Sequence, residues 1–319
     1  MRRRHLARTR PAHGAALLAA LLIVTLVASL AAAMVWRQAR SVQIEAAERA
    51  RAQADWVLQG ALDWARLILR EDARANQSEA LDHLGEVWAV PLAEARLSTF
   101  LASDKDSSGD AGPEAYLSGQ IEDAQSRYNL RNLLATSNEA LELRTVVRLF
   151  ESAGISASLA SQLKLSLRQA ANAASTNASD APLLPQRLEQ LQWLGFTPAQ
   201  IERLRPLATW LPVTTPVNLN TAPREVIAAL FDNMDLASAE RLLRARQSDP
   251  LRTLEQVRKL LPSGVDVGAD RAALSTSYFE VRGRLRLDER VLEQRSLVQR
   301  RNLELLVLDR QRISPQPGE

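Results

Sequence analysis

The sequence contains no cysteine. Disulfide scaffolds, thiol nucleophiles and cysteine-ligated metals are therefore excluded. An oxidising compartment is not, because a chain of 319 residues can bury a core that needs no staples. Histidine is scarce. There are three, and His5 and His13 lie in the first fourteen residues, leaving His83. With no partner thiol and no Gly-x-Ser-x-Gly elbow, His83 offers no catalytic pair. The sequence places no pair of carboxylates in a cleft, so the reading is a non-enzyme. Proline and glycine are absent between Ala15 and Gln59, and nothing there interrupts a helix. A basic stripe on the folded part is also missing. The net charge of +3 rests on Arg2, Arg3, Arg4, Arg8 and Arg10, without which the remainder is slightly acidic. That distribution argues against a nucleic-acid partner.

What the amino terminus does contain is a run from Ala15 to Trp36 in which only Thr25 and Ser29 are polar. About 20 apolar residues in a helix cross a bilayer. The arginine cluster just before it keeps the amino terminus cytoplasmic and sends the rest outward. A cleaved secretory signal, a plain anchor and a prepilin leader all begin this way. The run exceeds the ~7–15 apolar residues of a secretory signal, and it continues without a turn into an amphipathic stretch. There Val57, Gly60, Ala61, Trp64, Leu67 and Ile68 follow helical spacing for one buried face. A helix from Ala15 to Arg74 would be roughly 90 Å long.

Further on, Glu94 to Leu101 reads as a strand, and Asp104 to Pro113 as a polar loop. Tyr116 to Leu134 reads as a strand running into Asp123-Ala124-Gln125 and Asn129-Leu130-Arg131-Asn132-Leu133, whose side chains bond nearby backbone. Residues 139–274 are helical, with Ala170 to Pro185 as a loop. Two stretches there, Arg187–Leu211 and Val217–Leu261, are built alike. The second opens Asn218-Leu219-Asn220-Thr221-Ala222-Pro223, with Thr221 expected as N-cap and Pro223 in the first turn. From Ser277 to Asp309, Phe279, Val281, Leu285 and Leu287, then Leu297, Leu303, Leu305 and Val307, alternate as in antiparallel strands. Arg282, Arg284 and Arg286 are expected on a solvated face, and residues 313–319 as a disordered tail.

The long helix, with Arg10-Pro11-Ala12-His13-Gly14 directly before Ala15-Ala16-Leu17-Leu18, resembles type IV pilins and pseudopilins. The block from Leu117 to Leu133 resembles the protein K family of type II secretion systems, and the two helical stretches resemble helix-hairpin-helix units. The resemblance implies an α+β, type IV pilin-like fold, a long N-terminal helix on an antiparallel sheet with a large inserted α-helical domain. It implies a leader over 1–14, a transmembrane half over 15–36 and a soluble half of the helix over 37–75. Pilin-like parts over 76–138 and 275–312 would flank the insertion at 139–274. Prepilin peptidase would cut between Gly14 and Ala15, with N-methylation of Ala15. Most members carry a glutamate five residues after the cut, which pairs with the terminal ammonium of the subunit above. This chain has Ala19 there, which fits a subunit at the filament tip. A buried unpaired carboxylate at that depth would cost about 2.5–3.5 kcal/mol.

The implied function is that of a minor pseudopilin starting or capping a pseudopilus for export across the outer membrane. Its partners would be other minor pseudopilins, prepilin peptidase, the inner-membrane secretion platform and the bilayer, with no nucleic acid. It would cross the bacterial inner membrane once, its soluble part periplasmic. The rival reading is a membrane-tethered helix-hairpin-helix DNA-binding protein. Against it, Phe231-Asp232-Asn233-Met234-Asp235 has no glycine and places two aspartates where a phosphate would sit. No cofactor is required, although Asp104, Asp106, Ser108 and Asp110, with Gly109, have the alternation of a calcium loop. The bidentate Glu expected at the twelfth position is replaced by Ala115. Calcium carried by relatives lies near an acidic segment of the helical domain, and here Ala170 to Pro185 offers only Asp180.

Overall fold

The computed structural model describes residues 13–76, 79–97, 115–176, 182–287 and 290–313. The chain divides into two compact units at Val57/Leu58. Helix α1, His13–Ala75, begins in the first unit and ends in the second. In the first unit, residues 15–49 are exposed all round. Within it, the stretch from Ala15 to Trp36 is apolar apart from Thr25 and Ser29 and is long enough to cross a membrane. Its two polar side chains are satisfied within the helix, with Thr25 Oγ1 donating to Leu22 O and Ser29 Oγ to Thr25 O, as a hydrocarbon environment requires.

The second unit is built on a five-stranded antiparallel sheet of β1 (Leu92–Arg96), β2 (Ala115–Asp123), β7 (Tyr278–Leu287), β8 (Arg290–Arg301) and β9 (Glu304–Ile313), in that spatial order. The last turns of α1 cover one face. Leu62, Ala65 and Leu69 pack with Trp88, Phe279, Val281, Val298 and Leu305. The Trp88 and Phe279 rings meet edge-on at 5.3 Å, a favourable aromatic geometry.

The buried stripe is Leu58, Leu62, Ala65 and Leu69, one position along from the face expected at Val57, Gly60, Ala61, Trp64, Leu67 and Ile68. Trp64 and Leu67 are exposed. The helix carries apolar residues on two adjoining faces, and the sheet takes the flatter, leucine-rich one. The strand expected from Glu94 is β1, displaced to Leu92–Arg96. Leu297 does not share the face of Phe279. It packs with Ala124, Leu211 and Tyr278 on the opposite side, and an irregularity in the β8–β9 register falls between Leu297 and Val298.

Between β2 and β7 the described residues make two strand pairs and six α-helices. The short parallel pairs are β3 (Tyr128–Asn129) with β4 (Ala208–Thr209) and β5 (Val217–Asn218) with β6 (Ala272–Ala273). The helices are α2 (Glu139–Ser152), α3 (Ser158–Thr176), α4 (Pro198–Leu204), α5 (Arg224–Leu230), α6 (Leu236–Ser248) and α7 (Leu254–Leu260). Their inward faces form one apolar cluster, from Tyr128 and Leu130 through Phe150 and Val226 to Ala272. Helix α3 extends to Thr176, whereas a loop is expected from Ala170.

Candidate functional site

The functional features of this chain are its anchor, a polar junction where the helical segment leaves the sheet, and an apolar groove beside α1. Gly14, Ala15 and Ala19 lie in the opening turns of α1, and Ala15 and Ala19 are exposed. Asp104, Asp106, Ser108 and Asp110 lie outside the described residues, as does Asp180.

The junction is assembled from the asparagine-rich turn. Asn129 donates to Val213 O at 2.7 Å and to Thr215 Oγ1 at 3.1 Å, and accepts from the backbone N–H groups of Arg131 and Leu211. Asn132 exchanges two hydrogen bonds with the backbone of Thr215. Each amide acts as a piece of β-ladder for a segment with no strand of its own, which is how buried backbone groups must be satisfied. The second asparagine pair repeats the device. Asn218 donates to Asp82 O and Asp123 Oδ2, and Asn220 to Leu251 O and Leu274 O.

Asp123, at the end of β2, accepts from Gln125 N at 2.7 Å, Thr221 Oγ1 at 2.5 Å and Asn218. Burial pushes its carboxyl up to about 6 against these hydrogen bonds. Thr221 is thus not the N-cap of α5, where Pro223 stands instead. Its hydroxyl is spent on Asp123. The sequence reading treated the turn as local, and the partners across the chain could be seen only in the fold.

On the far face of the sheet, Arg282 is not a solvated side chain. It joins Arg127 and Arg295 around the buried Glu280. Burial pushes Glu280 up, and the three guanidinium groups override it and hold it at about 2. Arg284 is exposed as expected, while Arg286 pairs with Glu94 and lies over the Tyr116 ring.

The groove has a volume of about 330 Å³ and is lined by Leu58, Trp64, Val87, Leu92, Leu117 and Gly283 among others. It lies where α1 leaves part of the sheet uncovered.

The turn between α5 and α6 holds carboxylates where a helix-hairpin-helix unit would receive a phosphate. Asn233 takes the left-handed conformation (φ 59°) at the α5–α6 turn. Asp232 receives Arg144 at 2.6 Å and Arg148 at 2.8 Å, which hold it at about 2. Asp235 caps α6 through Ser238 N. The amide end of α6 that would face an anion is occupied by Asp235.

Residues 217–277 match the family model described as type II secretion system protein K. The chain is 28% identical to the type II secretion system protein K of Pseudomonas aeruginosa PAO1, over 88% of this chain and 86% of that one. It is 26% identical to the protein of the same name from Pectobacterium carotovorum subsp. carotovorum, over 93% and 95% of the two chains. Its fold is similar to a chain in the crystal structure of the GspK–GspI–GspJ complex from enterotoxigenic Escherichia coli, with a TM-score of 0.62 and 20% identity over 84% of this chain and 99% of that one. The antiparallel sheet beneath the last turns of a helix long and apolar enough to cross a membrane defines a pilin-like α+β fold. Within that class, the chain is similar to protein K of type II secretion systems over most of its length.

Proposed function

We propose that the chain is a minor pseudopilin acting at the tip of a type II secretion pseudopilus, where it starts or caps assembly for export across the outer membrane. The observation that carries this is the match to two protein K sequences over 88% and 93% of the chain. Other minor pseudopilins are the partners this reading assigns, in keeping with the complex in which the structural neighbour was solved. Its helix would hold it once across the inner membrane, amino terminus cytoplasmic and second unit periplasmic. Residues 1–14 would be the leader and residues 139–274 the inserted helical domain, whose bulk would block addition of a further subunit. Ala19, in place of a glutamate, leaves no carboxylate to be paired by a subunit above. No catalytic role is assigned. The rival DNA tether is disfavoured by Asp232 and Asp235, which fill the positions a phosphate would need.

The test is the mass of the mature chain after co-expression with prepilin peptidase. Loss of residues 1–14 with one added methyl group is expected, and Gly14→Ala should abolish it. A mature chain that keeps Met1, or one that starts beyond Trp36, would overturn the reading. Steep salt-dependent binding of duplex DNA by the full chain would favour the rival.

A further inference from the structure

Where α1 ends, three carboxylates converge on one guanidinium. Oxygens of Asp72, Asp82 and Glu86 lie within 4.8 Å of one another. Arg300 on β8 donates to Asp72 Oδ2 at 2.9 Å and to both oxygens of Asp82 at 2.5 and 2.6 Å, and its guanidinium lies over the Phe279 ring at 4.8 Å. Glu86 accepts from Trp88 Nε1, His83 N and Asn76 Nδ2. Asn76 also reaches Asp72. Asp72 and Arg300 are about nine-tenths buried, and Asp82 is almost completely so.

The same loop fastens the helical segment. Asp82 N donates to Leu274 O, Asp82 O accepts from Asn218, and Asp82 Oδ2 accepts from Thr276 N. From α1 the group is faced by Asp72, from the loop by Asp82 and Glu86, and from β8 by Arg300. From the helical segment Asn218 is neutral, while Arg252 pairs with Glu79 on the same loop at 2.6 Å; from β2, Asp123 shares the Asn218 amide with Asp82. Among the described residues one cation, Arg300, is bonded within this group of three acids, of which Asp82 is buried and Asp72 and Glu86 partly so, and two uncompensated negative charges in such a setting are costly.

We propose that this cluster is a proton-operated latch, which takes up one proton and then locks the end of α1 and the loop 79–91 onto the sheet and the helical segment. Asp72 is the receiving group. Burial pushes its carboxyl up to about 6, Glu86 adds to the rise, and Arg300 opposes it. Its ordinary value is 3.8. The contribution is therefore complete below about 4 and is lost as pH rises through 6.

The experiment uses the full chain in detergent micelles, as wild type and as Asp72→Asn, a neutral isostere of the protonated group. Amide hydrogen exchange in residues 79–91, corrected for its intrinsic pH dependence, should slow about ten-fold in wild type between pH 8 and pH 5. It should be slow at both values in Asp72→Asn, and the slope of Tm against pH should be smaller in that variant. If Asp72→Asn does not fold, Glu86→Gln is measured in the same way and should reduce the pH dependence of exchange in the loop. Exchange in 79–91 that ignores pH in wild type, or a variant that keeps the full wild-type pH dependence, overturns the latch. The cleavage of residues 1–14 is indifferent to either result.

Discussion

Arg271 donates its Nε to Glu142 Oε1 at 3.0 Å, with both side chains less than a tenth exposed. The pair ties the residue before β6 to the first turn of α2. Its remaining valences are met as well, since Arg271 Nη2 donates to Thr145 Oγ1 and the Tyr128 hydroxyl donates to Glu142. A buried pair broken on one side leaves an uncompensated charge, at about 3–5 kcal/mol. Arg271→Leu is therefore expected to lower the stability of the second unit by that amount in urea titrations. Replacing Arg271 and Glu142 together by apolar residues should recover much of the loss.

Asn129 is expected to be irreplaceable by small residues. Asn129→Ala removes two donors and strands the backbone N–H groups of Arg131 and Leu211, each unmet buried group costing about 1–3 kcal/mol. Asn129→Asp keeps the acceptor and, at a pH where its carboxyl is protonated and no charge is buried, loses only one of the two donors, so its loss there should be smaller. An equal loss for both, by denaturant midpoint, would put the role of Asn129 elsewhere.

Acid should undo the far face of the sheet while it tightens the end of α1. Glu280 and Asp232 both sit at about 2, below the ordinary carboxylate range. A depressed carboxyl contributes stability above its unfolded value, and this is lost as pH falls toward 2. Asp72 and Asp123, both raised to about 6, act in the opposite direction. Stability is therefore expected to peak between pH 4 and 6. Glu280→Gln should remove part of the decline on the acid side of a Tm-against-pH curve and leave the alkaline side unchanged.

Gly119 and Gly283 face each other across β2 and β7, yet they should tolerate alanine differently. A Cβ at Gly119 would lie 2.8 Å from the Arg282 carbonyl oxygen, which is backbone. At Gly283 it would meet Leu58 Cδ2 at 3.3 Å, the end of a flexible side chain. Gly119→Ala is expected to cost about 1–3 kcal/mol by overpacking, and Gly283→Ala less. The order of their Tm values decides the point.

Much of this architecture is legible in the residues. Ala15 to Trp36 can only be an apolar helix, and Phe279, Val281 and Leu285 announce a half-buried strand. Asn129 and Asn132 are legible as backbone-bonding side chains. Periodicity could not choose between two adjoining apolar faces of α1, because Trp64 and Leu58 are equally hydrophobic and the sheet decided between them. Nor could it place Arg282. An arginine at an outward position of a strand reads as solvated until Glu280, Arg127 and Arg295 are brought beside it. The acid cluster escaped for the same reason, since Asp72, Asp82 and Arg300 are remote in sequence and none belongs to a motif.

One consequence of the strand register concerns the order of events on the folding pathway. Asp123 pairs with Phe279, so the ends of the helical segment emerge from neighbouring strands at the same level of the sheet. The β2–β7 ladder therefore closes the longest loop of any strand pair among the described residues, and such non-local pairing is slow. Collapse of the helices around Phe150 and Val226 draws the two ends together and shortens the effective search. The sheet should consequently form late, after the segment it appears to support.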